Sequence, residues 1–225
     1  AMFFGIGAYS VALLCYHSSS PHWYHLIIAA AAALTLSVML ALVLAFFSLR
    51  TKAIFFAMLS LALADFFHIL GMTWSDLTLG EDGITFSLPG ILNVEWSGVN
   101  LMGFHLTPRI MTYYLILVAA VFLFVALLRF VRSPVGRVLK SIRDNEQRST
   151  ALGYKTFRYQ IYSIVFGSSI ASLGGILFAL WLRFVDPESA LGVFSMVDYL
   201  LMVIIGGLGT LYGSIIGATF FMATQ

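Results

Sequence analysis

Apolar residues in this chain run together in long blocks. Six stretches, 3–16, 26–49, 53–71, 111–131, 159–182 and 197–222, are nearly free of charge. Crossing about 30 Å of hydrocarbon at about 1.5 Å per residue takes roughly 20 apolar residues in a helix. A transmembrane strand would instead alternate apolar and polar positions, and these blocks do not. The pattern predicts an all-α fold: a polytopic transmembrane helical bundle of about six spans, forming one domain over 1–225. The first block is short for a full span, and the first and last blocks start and stop abruptly, as expected of a chain truncated at both ends. Between the third and fourth blocks, 72–110 is mixed in character. It carries Gly80, Gly83, Gly90, Gly98, Gly103, Pro89 and Pro108, and is expected to be a structured loop outside the hydrocarbon. The last block is interrupted by Gly206-Gly207-Leu208-Gly209. It is either one kinked span or two half-helices meeting in the membrane, and broken helices are tolerated there only where protein or a water-filled cavity lines the exposed backbone.

Composition agrees. Of 225 residues, 60% are hydrophobic and 10% charged, with a mean hydropathy of +0.97, against roughly 45–50% and about 25% in soluble domains. Twelve Lys and Arg with ten Asp and Glu cannot cover a water-facing surface, so lipid must be the solvent. Soluble enzymes, nucleic-acid binders and disordered tails are thereby excluded. The single Cys15 rules out an intrachain disulfide. Charge placement sets orientation, because Lys and Arg concentrate on the cytoplasmic side. Arg50, Lys52, Arg129, Arg132, Arg137, Lys140, Arg143, Arg148, Lys155 and Arg158 fall on one side, and only Arg109 and Arg183 fall elsewhere. That side is expected to be cytoplasmic, with 132–158 a cytoplasmic segment and 72–110 periplasmic. Asp76, Glu81, Asp82, Glu95, Asp186, Glu188 and Asp198 sort to the other side, where Tyr16, Trp23, Tyr24, Trp181 and Phe184 provide interfacial aromatic anchors.

The segment 132–158 carries the most information. Ser133 before Pro134 reads as an N-cap followed by proline at the first helical position, where its missing N–H costs nothing. Helix-compatible residues continue to Leu152, and Gly153 supplies a stop. Val135, Val138, Leu139 and Ile142 share a face, with Arg137, Lys140, Arg143, Asp144 and Arg148 mostly on the others. Such a helix cannot cross the bilayer. It either rests on the headgroups as an amphipathic loop or serves as a handle by which a cytoplasmic protein rocks the bundle.

Residues 132–146 (RSPVGRVLKSIRDNE) followed by ALG at 151–153 resemble the coupling loop of ABC importer permeases, most closely the LivM type of branched-chain amino-acid importers. FFGIGAY at 3–9, LRTKAIFFAM at 49–58, TLGEDG at 78–83 and MVIIGGLGTLYG at 202–213 resemble further motifs of that family, in the family's order. One departure concerns the importer pattern Glu-Ala-Ala-x-x-x-Gly: here Gly153 follows Glu146 by seven, and Gln147 and Arg148 replace the alanines. The resemblance implies ATPase coupling through Ser133, Pro134, Gly136, Arg137, Lys140, Arg143, Asp144, Glu146, Ala151 and Gly153. It implies a second, LivH-like permease, two cytoplasmic ATPase subunits and a periplasmic substrate-binding protein as partners, in the bacterial inner (plasma) membrane. The cargo implied is a branched-chain or other apolar amino acid, with a urea or short-amide permease as the alternative. The lysines are Lys52, Lys140 and Lys155, none in a Gly-x-x-x-x-Gly-Lys-Ser/Thr phosphate cradle. We therefore expect no cofactor on this chain, no enzymatic activity of its own, and ATP with Mg on partner subunits.

Small residues form two ridges at four-residue spacing, Gly209/Gly213/Gly217 and Gly167/Ala171/Gly175, which read either as packing seams or as surfaces that slide during alternating access. Gly5, Tyr9, Ser60, Asp65, Gly206, Gly207 and Gly209 are the candidates for a substrate path or hinge. Asp65 is the clear intramembrane charge, with His68 one turn on. A carboxylate at this depth faces the bundle interior by default, either as a pathway group or as a structural acid paired with His68 or a neighbouring helix. It also leaves open an ion-coupled secondary transporter. His17, His22 and His25 cluster without nearby carboxylates and are expected to be interfacial rather than metal ligands. No Ser/His/Asp constellation or carboxylate pair within the spans suggests an intramembrane enzyme.

Overall fold

The computed structural model describes residues 1–18, 22–48, 53–88, 99–101, 104–106, 108–207 and 209–224. The Arg50/Lys52 turn, Pro89, Gly90, Glu95, Gly98, Gly103 and Leu208 lie outside the described residues. The long helices are α1 (Met2–His17), α2 (Trp23–Ser48), α3 (Ala53–Thr73), α5 (Pro108–Arg132) and α8 (Thr156–Leu182), each covering one of the first five apolar blocks. Between α3 and α5 come α4 (Ser75–Thr78), a 3-10 turn (Gly80–Asp82), β1 (Ile84–Thr85), β2 (Val99–Leu101) and β3 (Phe104–Leu106). Between α5 and α8 come α6 (Pro134–Asp144) and α7 (Glu146–Ala151). After α8 follow β4 (Phe184–Val185), α9 (Pro187–Leu191), α10 (Val193–Gly206) and α11 (Leu211–Thr224).

Among the described residues, four helices (α2, α3, α5, α8) are long and apolar enough to cross a membrane, or five counting α10 with α11 as one broken span. The expected count of about six adds the shorter apolar helix α1 to these. The 16 residues of α1 rise about 24 Å at about 1.5 Å per residue. The last block resolves into two helices bent by 115° at the glycine-rich break.

In lipid, every helix face is apolar, so backbones come together where side chains are smallest. Along α2, Ala29, Ala33, Ser37, Ala41 and Ala45 recur at every fourth residue and are all fully buried. The α1–α8 contact is closer still. A β-carbon on Gly7 would lie 1.9 Å from the Ser172 carbonyl oxygen, and one on Gly175 would lie 1.9 Å from that of Phe4. The seam of α8 toward α1 therefore runs through buried Ser168, Ser172, Gly175 and Ala179. Gly167, expected in that ridge, is exposed and would meet nothing within 4 Å, while Ala171 is half-buried. Ala8, Val11, Ala12 and Cys15 pack in one core with Ile176, Ala179 and Leu180.

Ring contacts show α5 running antiparallel to α8. Tyr113 meets Trp181 at 6.1 Å near one end, and Phe130 stacks on Phe166 at 3.9 Å toward the other. The α6–α7 element and the β1–β4 pair (Ile84 opposite Val185, Thr85 opposite Phe184) thus occupy opposite ends. The exceptional cations Arg109 and Arg183 belong to the β1–β4 end, where burial and then the neighbouring Arg109 charge lower the Arg183 pKa.

Candidate functional site: the α6–α7 element, the α10–α11 break and an apolar cavity

At the end of α5 the chain makes one tight turn, the Ser133 amide donating to the Phe130 carbonyl. The Ser133 hydroxyl donates to the Phe130 carbonyl at 2.6 Å and accepts from the Gly136 amide at 3.3 Å, with Pro134 at the first helical position. Gly136 is required there, because a β-carbon would sit 2.2 Å from the Val131 carbonyl oxygen. In α6, Ile142 is buried and Val135, Val138 and Leu139 are half-buried, whereas Arg137, Lys140, Arg143 and Asp144 are exposed. The amphipathic face is as the spacing required.

The expected single helix to Leu152 is, however, two. Asn145 has extended backbone (φ −160°, ψ 104°), and its side chain caps α7 by accepting from the Arg148 amide at 2.9 Å. An asparagine competes with the helical backbone through just such bonds. The Ser141 and Ser149 hydroxyls meet at 3.0 Å across this elbow, and Ser149 is fully buried. The Gln160 amide donates to Glu146 at 3.3 Å, tying α7 to the first turns of α8. Gly153 has φ +89°, the left-handed stop expected after α7. Ala151 and Gly153 are exposed, and so is Leu152 (68%). Leu152 was not singled out from sequence, although an apolar side chain next to a helix-stopping glycine on a polar element is a recognisable signal.

At the break, Gly207 and Gly209 have φ +97° and +102°, backbone that L side chains rarely adopt. The two half-helices close on glycine. A β-carbon on Gly206 would lie 1.8 Å from the Gly213 carbonyl oxygen, and one on Gly217 1.9 Å from that of Met202. Gly213 and Gly217 therefore form the seam, but Gly209 does not extend it. Gly209 faces α6 instead, where a β-carbon would be 3.5 Å and 3.7 Å from the two Nη atoms of Arg143. The charged element and the broken span thus meet at this pair of residues.

Toward the opposite end lies a cavity of about 330 Å³ lined by Gly5, Tyr9, Phe67, Gly71, Thr78 and Leu191, among others. Leu191 of α9 wedges against α1 and α3: a β-carbon on Gly5 would be 2.1 Å from its Cδ2, and one on Gly71 3.4 Å from its Cδ1. Thr78 is fixed by donating to the Gly71 carbonyl at 2.6 Å. The cavity unites Gly5 and Tyr9 of the sequence candidates. Ser60 and Asp65 do not line it; both are half-buried, and Ser60 donates to the Ala57 carbonyl. His68 does not pair with Asp65. Its Nε2 lies 3.2 Å from Glu188 Oε2 of α9, a second strap between α9 and α3. The outer histidines have structural partners: His25 bonds Ser18 Oγ and the His22 amide, and His17 bonds the Leu13 carbonyl. Among the described residues no three His, Cys, Asp or Glu side chains are placed to hold a metal ion.

The chain is similar to several permeases. It is 27% identical to the high-affinity branched-chain amino acid transport system permease protein LivM of Escherichia coli (strain K12), over 99% of this chain and 55% of that protein. It is 27% identical to the probable branched-chain amino acid transport permease protein LivM of Methanocaldococcus jannaschii, over 50% of this chain and 32% of that one. A match of 30% identity over 40% of this chain joins it to the autoinducer 2 import system permease protein LsrC of Photorhabdus laumondii, covering 28% of that protein. The chain spans about half the length of the Escherichia coli relative. No solved structure matches. The family model for the branched-chain amino acid transport system permease component matches residues 1–225, and with its apolar helices this places the chain in that family of multi-pass membrane permease components.

Proposed function

We propose that this chain is the transmembrane part of one permease subunit of an ATP-driven importer that carries branched-chain or other apolar amino acids inward. The observation that carries the reading is the placement of the Arg143 guanidinium of α6 beside Gly209 at the α10–α11 break. A force applied to α6–α7 reaches three spans: α5 through the Gly136 turn, α8 through Glu146 and Gln160, and the broken pair through Arg143. Packed interfaces switch between discrete arrangements rather than deform continuously, so a small displacement at this element can re-seat half-helices that meet on glycine alone. The positive-inside pattern supports a cytoplasmic α6–α7, where two ATPase subunits would grip the exposed charges and Leu152. A second, LivH-like permease would complete the translocation path, and a periplasmic binding protein would deliver cargo at the β1–β4 end. ATP and Mg belong to the ATPases. The cavity at Gly5 and Tyr9, with its apolar walls, suits a branched aliphatic side chain and is the candidate stretch of the path on this subunit. The names of the relatives do not favour the urea or ion-coupled alternatives.

Charge reversal at Arg143, Asp144 and Glu146 tests the reading. In proteoliposomes holding the complete importer, the variant should insert normally and leave ATP hydrolysis running while leucine uptake collapses. Uptake equal to that of the unaltered importer refutes the coupling role.

A further inference from the structure

One face of α5 stays uncovered. Val118, Val121, Phe122 and Val125 are 64%, 55%, 72% and 53% exposed, and helical geometry sets them in one stripe with Arg129 and Arg132. Around the two arginines opens a cleft of about 550 Å³ walled by Val125, Leu128, Arg129, Arg132, Ser133 and Pro134. Both guanidinium groups are exposed, and among the described residues no acid pairs with either. Ser133 is already committed to the Phe130 carbonyl and the Gly136 amide. From Val118 to Arg129 the helix rises roughly 16 Å, close to the ~15 Å depth of one hydrocarbon leaflet.

We propose that this face binds an anionic phospholipid, its phosphodiester held by Arg129 and Arg132 and an acyl chain laid along Val125, Phe122, Val121 and Val118. One feature fits the phosphate and a second selects a lipid over a free anion. Guanidinium forks match phosphate oxygens in geometry and charge, and the apolar stripe that begins directly at the charges has the length of an acyl chain. Basic clefts at the cytoplasmic ends of spans recognise such headgroups. The cleft sits at the turn that joins α5 to α6, so the bound lipid braces the anchor of the α6–α7 element. The inference rests on exposure and charge and holds whether or not the transport reading does.

The test uses the full chain in nanodiscs of phosphatidylcholine alone or with phosphatidylglycerol or cardiolipin, with retained lipids counted by native mass spectrometry. The anionic lipids should be retained over phosphatidylcholine. R129Q/R132Q should weaken retention roughly 30-fold, at about fivefold per arginine, whereas K155Q/R158Q, an equal loss of charge elsewhere, should not. V125W, which fills the apolar wall and keeps both charges, should also release the lipid, and it carries the test if the double arginine variant does not fold. Equal retention in R129Q/R132Q and K155Q/R158Q overturns the proposal. Full displacement by inorganic phosphate overturns it too, since the site would then be for an anion alone. So does loss of the lipid when a second permease copurifies on this face.

Discussion

Gly167 and Gly175 lie on the same helix and belong to the same four-residue sequence pattern, yet the same substitution should act on them with opposite sign. A methyl group at Gly175 would sit 1.9 Å from the Phe4 carbonyl oxygen, 2.8 Å from its carbon and 3.1 Å from the Ala8 nitrogen. Carbon atoms rest against neighbours at about 3.5 Å, so α1 must retreat by roughly 1.5 Å, and a gap of even 0.5–1 Å forfeits a quarter to a half of the dispersion energy. The neighbours that lose contact are Ala8, Val11, Ala12, Ile176 and Ala179, all buried in the α1–α8 seam. Overpacking of this kind costs about 2–3 kcal/mol. At Gly167 a methyl group meets nothing within 4 Å, and replacing a helix-interior glycine by alanine gains up to about 1 kcal/mol. With roughly 2–4 °C per kcal/mol for a chain of this size, Gly175→Ala should lower the melting temperature by about 4–12 °C and Gly167→Ala should raise it by up to about 4 °C. Tryptophan fluorescence during heating in nanodiscs reads both. Shifts of the same sign, or an unchanged Gly175→Ala, would refute the claim that backbone contact rather than the ridge motif decides these positions.

Two further outcomes follow from local geometry. Gly209→Val places a β-branched residue at φ +102°, a strain of about 1–3 kcal/mol; in the reconstituted importer, uptake should fall while ATP hydrolysis continues, and normal uptake would show that the break does not move. Asn145→Ala removes the α7 cap at a cost of about 1 kcal/mol; hydrogen exchange should quicken in Glu146–Ala151 and stay unchanged in α6, whereas uniform protection would mean the elbow is held by Ser141 and Ser149 alone.

Much of the architecture is legible along the chain, because the requirement for about 20 apolar residues per span is a local one. The Ser133-Pro134 start and the Gly153 stop are equally local, since caps act within one turn. The Asn145 break was readable as well, as a capping residue with an acid following it, but a good helical run on both sides masks it. The Ala29/Ala33/Ser37/Ala41/Ala45 seam of α2 was open to the same small-residue argument applied to the glycines, and alanine is easily passed over as mere hydrophobic filling.

By itself the sequence determined that this chain lives in lipid, where its helices fall, and that a charged amphipathic element links the fourth and fifth apolar blocks. Only the tertiary structure decided which small residues touch, that His68 reaches Glu188 across 120 positions rather than Asp65 one turn away, and that Arg143 meets the Gly209 break. The reason is physical. In a soluble helix, water marks the outer face by its polarity, but in lipid the buried and exposed faces are both apolar. Periodicity then carries no direction, and only the packing of one backbone on another supplies it.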